Sequence, residues 1–248
     1  MAQSTFSRSV HGTTEPFELQ VSRGQIQYHS QVTIFGYQPN VATTSIPAWE
    51  NASTYTPPAS ASTMNVASSN PADTAVTIQV NGLDSNYNAI SETLTLNGTS
   101  NVVTSNSYLR LNSMVTVAGN AAGNVTIKSG TTTYLQMNAG IGKSQNSWYT
   151  VPAGNTLWLS RAELSTNLSY AGTTFVTYQV QTTTSNGVVL TVLQQPFVGN
   201  FIALRSRPFP YTEKTDVQFQ VKASANANTA VGVIIEGTLI QNDVSPLT

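Results

Sequence analysis

Two histidines and eleven carboxylates are the acid–base stock of this 248-residue chain. There is no cysteine, which removes disulfides, thiolate metal sites and cysteine nucleophiles in one step. A nucleophilic triad needs a Ser or Thr, a His base and a carboxylate held in mutual geometry. His11 lies in a patternless N-terminal stretch, His29 is far from it in sequence, and no Gly-x-Ser-x-Gly elbow occurs. No acidic cluster at ligand spacing accompanies either histidine, so neither a metal nor another cofactor is expected. Glu163, Glu213, Asp216 and Glu236 could supply the paired carboxylates of a glycosidase. The competing reading makes Glu213, Lys214 and Asp216 a polar loop end, with Arg205 and Arg207 as ionic partners. That reading is preferred, because no recognisable motif holds the carboxylates. The segment from Arg205 to Asp216 is the densest charge cluster of the chain. Its expected task is contact within a domain or between subunits, where exposed pairs specify partners more than they stabilise.

Trp49, Trp148 and Trp158, with ten tyrosines, raise the question of a sugar-binding platform. Aromatics weigh as heavily in cores and subunit contacts, and that use is preferred here. Trp49 and Tyr55 sit in a Pro-, Ser- and Thr-rich segment, residues 39–62, long enough to read as a functional loop.

The elements that must position these residues are strands. Val76, Ile78 and Val80 alternate with Thr77 and Gln79; Ile90, Leu94 and Leu96 alternate with Ser91, Thr93 and Thr95. A third inward row is expected at Leu109, Leu111, Val115 and Val117, with Arg110 and Asn112 facing out. Asn81-Gly82 and Asn97-Gly98 stand where hairpin turns belong. Gly140-Ile141-Gly142 reads as a joint, after which strand-like runs resume from Trp148 to Ile240. No window of helical length shows a 3.6 period. The expected fold is all-β: an extended N-terminal arm (1–20), then two β-sandwich, jelly-roll-like domains at 21–140 and 141–248.

Only 8% of the residues are charged, against about 25% in a typical soluble domain. Ser, Thr, Asn and Gln do the polar work, so large surfaces can lie against other protein with little repulsion. A net charge of −1 favours association. No basic stripe argues for nucleic acid, and no apolar run approaches a membrane span. The N-terminus has no signal-like apolar core, and the Asn-x-Ser/Thr sequons at Asn51, Asn97, Asn124 and Asn167 read as products of composition.

The stretches Gly24-Gln25-Ile26, Ile34-Phe35-Gly36, Ile46-Pro47-Ala48-Trp49-Glu50 and Gly82-Leu83-Asp84-Ser85-Asn86-Tyr87-Asn88 resemble a family of tailed-bacteriophage virion structural proteins, found in phages of aquatic bacteria. Asn106-Ser107-Tyr108-Leu109-Arg110-Leu111-Asn112, Tyr149-Thr150-Val151-Pro152-Ala153-Gly154 and Glu213-Lys214-Thr215-Asp216 extend the likeness over about residues 21–240. The resemblance implies a place in the virion, assembled in the host cytoplasm and released by lysis, and it carries over no catalytic residue. The expectation is a capsid decoration (cement) protein, not an enzyme, binding the major capsid protein or other virion proteins. A homo-oligomer is expected, with a trimer favoured to match local threefold axes. A tail or baseplate accessory protein, or a fibre-type glycan-binding protein, is the alternative. Candidate partner contacts are Phe6, Arg8 and His11 of the arm, Trp49, Tyr55, and Arg205, Arg207, Glu213, Lys214 and Asp216.

Overall fold

The computed structural model describes residues 9–10, 13–168, 172–225 and 229–242. It is all-β apart from one helical turn and a half. A short antiparallel pair, β1 (Ser9–Val10) with β2 (Thr13–Thr14), precedes helix α1 (Phe17–Ser22). Then come β3 (His29–Gln38), β4 (Ile46–Pro47), β5 (Asn65–Ser68), β6 (Thr77–Leu83), β7 (Ala89–Thr95), β8 (Val102–Val103) and β9 (Arg110–Ala118). β10 (Val125–Ser129), β11 (Thr132–Met137), β12 (Trp148–Thr150), β13 (Asn155–Thr166) and β14 (Val176–Thr183) follow. β15 (Val189–Phe197), β16 (Asn200–Tyr211), β17 (Asp216–Ala223) and β18 (Val231–Gln241) complete the chain.

The extended arm expected over residues 1–20 instead turns helical from Phe17, in a helix too short to leave a periodic signal. Pro16 supplies its first acceptor, to Leu19 N and Gln20 N, and Gly24 leaves it at φ +67°. Buried Val21 seats the helix, and Phe17 meets the His29 ring edge-on at 5.8 Å.

All pairing is antiparallel, in small sheets. The orders are β11-β10-β5-β8, β7-β6-β9, β12-β17-β14-β15 (with β4 also on β17) and β16-β13-β18-β3. The first two sheets supply one hydrophobic core, through Val66, Ile78, Val80, Leu111, Met114, Ile127 and Leu135. The other two supply a second, through Ile34, Leu157, Leu164, Tyr178, Phe219, Val221, Val233 and Ile235.

These cores do not divide the chain at the expected 140/141 joint. β3 pairs along its whole length with β18, from His29 opposite Ile240 to Gln38 opposite Val231, and β4 pairs with β17. Alternation reports a strand's faces but not its partner, so this long-range pairing left no local mark. Gly36 shows how close the packing is there: a Cβ would stand 2.6 Å from the Ser147 Cβ. Gly140-Ile141-Gly142 is a tied loop, with Gly140 N bonded to Ala121 O and Gly142 O to Thr116 N.

Two further expectations fail at one β-bulge. Asn81 faces Ser113 and Gly82 faces Leu111, so Asn112 is the extra residue on β9. The inward row therefore shifts from Leu111 to Met114, leaving Val115 half-buried and Val117 52% exposed. Asn81-Gly82 is not a turn but the interior of β6, where a Cβ on Gly82 would lie 2.2 Å from Arg110 O. The turn comes later, where Asp84 accepts from the backbone of Asn86 and Asn88 and Tyr87 adopts φ +66°.

Candidate functional site: a polar junction and an open side

The bulge aims Asn112 at the neighbouring strand β12. Its amide accepts from Thr150 N at 2.9 Å and donates to Thr150 O at 3.0 Å, imitating a strand partner. Beside it, Arg110 grips Asp216 with Nε and Nη2 at 2.8 and 2.9 Å. The same guanidinium donates to Pro58 O, Leu109 O and the Tyr87 hydroxyl and lies over the Tyr87 ring. Thr150 Oγ1 donates to the Asp216 carboxylate at 2.6 Å. Burial alone would lower the Arg110 pKa, but the bonds and charge of Asp216 hold it above its ordinary value.

β12 belongs to both cores. Trp148 enters the first, stacked on Tyr55 at 3.8 Å and edge-on to Trp49 at 5.2 Å, while Tyr149 packs against the second. Ser147 Oγ accepts from Ala48 N and donates to Phe219 O. A cavity of about 50 Å³ lies between β3, β9 and β12; at its wall the Lys143 ammonium donates to Thr33 O and sits 4.6 Å from the Phe35 ring centre.

The expected contact residues divide sharply. Phe6, Arg8 and His11 lie outside the described residues. Trp49 and Tyr55 are buried packing residues of the first core, so they are not surface contacts. Trp49 and Trp148 spend their indole N–H groups on Ser53 O and Leu111 O, which rules them out of a surface sugar platform. Asp216 is buried and pairs with Arg110, not with Arg205 or Arg207. Arg110, expected to face out, is therefore the residue that sequence reasoning missed; the partner lies 106 positions away and leaves no spacing signal. Glu213 is exposed and accepts from Gly154 N, and Lys214 holds a left-handed turn at φ +60°. Glu163 and Glu236 flank Arg161 at 2.7 and 3.3 Å, an ion-pair cluster on the outer face of β13 and β18. Among the described residues, no three His, Cys, Asp or Glu side chains gather as a metal site would require.

Arg205 and Arg207 are exposed on β16 and make no ion pair among the described residues. Leu204 faces Arg161 and Phe209 faces Leu159, so Arg205 to Pro208 bulge out opposite Ser160 alone. Arg205 covers the Phe209 ring at 5.7 Å. Beside this bulge, the outer face of β16-β13-β18-β3 carries Leu204 (74% exposed), Ile202, Ile234 and Tyr37 around the Arg161 cluster. Across the mouth of the second core, β15 exposes Val189, Leu190 and Val192.

Two further carboxylates matter structurally. Asp73 is buried; burial opposes its ionisation, but bonds from Ser68 Oγ, Ala122 N and Gly123 N outweigh it and hold its pKa low. Glu50 is also buried and accepts one resolved bond, from Asn138 N at 3.0 Å; burial pushes its pKa up to about 7.

No family model matches the sequence, and no curated protein matches it. Solved structures with some likeness are capsid particles of infectious bursal disease virus. The Gt strain virus is 12% identical with a TM-score of 0.22, covering 89% of this chain and 74% of that one. The VP2 subviral particle is 10% identical with a TM-score of 0.20, covering 88% and 74%. Virus-derived T=1 particles are 10% identical with a TM-score of 0.24, covering 87% and 70%. At these scores the likeness carries no argument about what this chain does.

Proposed function

We propose that the protein is a virion structural protein whose work is assembly, most specifically a capsid decoration protein laid onto a finished shell. One observation carries the reading: a sheet face that the described residues leave open. Ile202, Leu204, Ile234 and Tyr37 form an apolar surface around a charge cluster already paired internally. When protein covers such a face, Glu163 and Glu236 each keep a bond to Arg161, and one net negative charge is left for the partner to meet. The unpaired Arg205 and Arg207 border it and supply orientation toward an acidic neighbour. The low overall charge and the resemblance to phage virion proteins point the same way. A partner that binds only the assembled shell stabilises it by mass action, and a homo-oligomer multiplies weak contacts.

The test is the number of copies per particle, by quantitative mass spectrometry of purified virions. Hundreds of copies support decoration; a dozen or fewer move the protein to the tail; absence from particles overturns the virion reading. Leu204→Glu with Ile202→Glu should abolish loading onto stripped particles while leaving the circular dichroism spectrum unchanged. Undiminished loading would remove this face from the proposal.

A further inference from the structure

β15 ends the order β12-β17-β14-β15, so one side of its backbone has no strand partner among the described residues. Its first half is apolar on both faces: Val188, Val189, Leu190 and Val192 are 51, 56, 50 and 41% exposed. An alternating strand buries one face; exposure of both means that this end runs beyond the core. Edge strands are ordinarily defended by charge, proline, a covering segment or a bulge. From Val188 to Phe197 there is no Lys, Arg, Asp or Glu. Pro196 lies near the far end, and the bulge between β14 and β15 falls at Val192. Among the described residues, the stretch Val188–Thr191 is left undefended. β16 carries what β15 lacks, namely Arg205, Arg207, Pro208, Pro210 and an outward loop.

We infer that β15 is a self-association edge, paired antiparallel through Val188–Thr191 with the same strand of a second copy across a twofold axis. The occupant follows from three features. An isologous contact uses one segment twice, so it needs complementarity only with itself. β-branched and aliphatic residues facing each other across antiparallel strands meet that need, and an uncharged segment meets no like charge on the axis. The area also fits. β15 with Phe209 across the mouth presents on the order of 400 Å² of apolar side chain, and its backbone and Thr191 bring the patch toward the ~600–800 Å² per partner of a specific interface. The same docking on β16 would bring Arg205 and Arg207 against their own copies.

The inference stands apart from the virion reading, because it concerns the free protein in solution. The chain has no cysteine, so Val189→Cys introduces a single thiol that can only bridge two copies. Under mild oxidation the full-length variant should form a covalent dimer rapidly. Val117→Cys, equally exposed on the first core, should cross-link slowly. Sedimentation of wild type should show a dimer, and Leu190→Lys should weaken it about 100-fold by bringing two ammonium groups close across the axis. Wild type that stays monomeric up to about 100 μM, the weak end of specific association, would overturn the inference. So would equal cross-linking at positions 117 and 189, or a Leu190→Lys protein that dimerises as tightly as wild type. Unchanged circular dichroism and melting of Leu190→Lys separate loss of pairing from loss of fold.

Discussion

β7 and β15 are both edge strands, and the chain treats them oppositely. β7 alternates between exposed Ala89, Ser91, Thr93 and Thr95 and half-buried Ile90, Glu92 and Leu94. Its flank is covered by its own chain: the Glu92 carboxylate accepts from Ser105 N and Asn106 N at 2.7 and 2.9 Å, and the Asn106 amide donates to Ser91 O. Among the described residues β15 has no such cover, and its exposed end has no charge and no alternation. The first core is closed by polar tethers to its own loops, whereas the second has an open side. The lesson is that exposure here is regional.

The comparison breaks most easily at the junction that both cores share. Arg110→Ala would leave Asp216 buried without its partner, a loss of about 3–5 kcal/mol. Chemical denaturation should then show the greatest loss of any substitution suggested here, with separation of the two cores into distinct transitions. A single unchanged transition would show that β12 alone couples them. Next comes the loop that closes the first core. Asp73→Ala strands Ala122 N and Gly123 N together with the Ser68 hydroxyl, and should cost about 2–4 kcal/mol by the same measurement.

A smaller effect, of opposite sign, belongs to Glu50. Its carboxyl is raised to about 7 in the fold from an ordinary 4.5, so the folded protein holds the proton more tightly than the unfolded chain. That contribution is present in full below about pH 4.5 and is lost as the pH rises through 7. Glu50→Gln should therefore stabilise the protein by about 2 kcal/mol at pH 8 and hardly at all at pH 4. Melting curves across that range check it; a gain independent of pH would assign the effect to packing. The smallest effect should come from the open side. Leu204→Ser removes a side chain 74% exposed and should shift stability by less than ~0.5 kcal/mol while impairing assembly. A large stability loss would mean that this face is structural.

The strands of β6, β7, β17 and β18 were legible because alternation is local. The bulge at Asn112 was not, since an inserted residue changes register without changing composition. Arg110 was misread for the same reason, because the extra residue redirects its neighbours on β9. Trp49, Tyr55 and Trp148 were visible as a group, but their types suit a core and a surface equally, and only the stacking geometry decides. The open side was half-visible. The lack of charge in β15 can be read directly, whereas its edge position depends on which strands pair.

The pairing of β3 with β18 also fixes an order of events during synthesis. Strands β5 to β11 have their partners within residues 65–137 and can close while the rest of the chain is still being made. β3 leaves the ribosome before them, yet its partner is the last strand. At roughly 5–20 residues per second, β3 waits ~10–40 s with Ile34 and Phe35 uncovered. The segment around β3 is thus the one most in need of a chaperone while the molecule is being born.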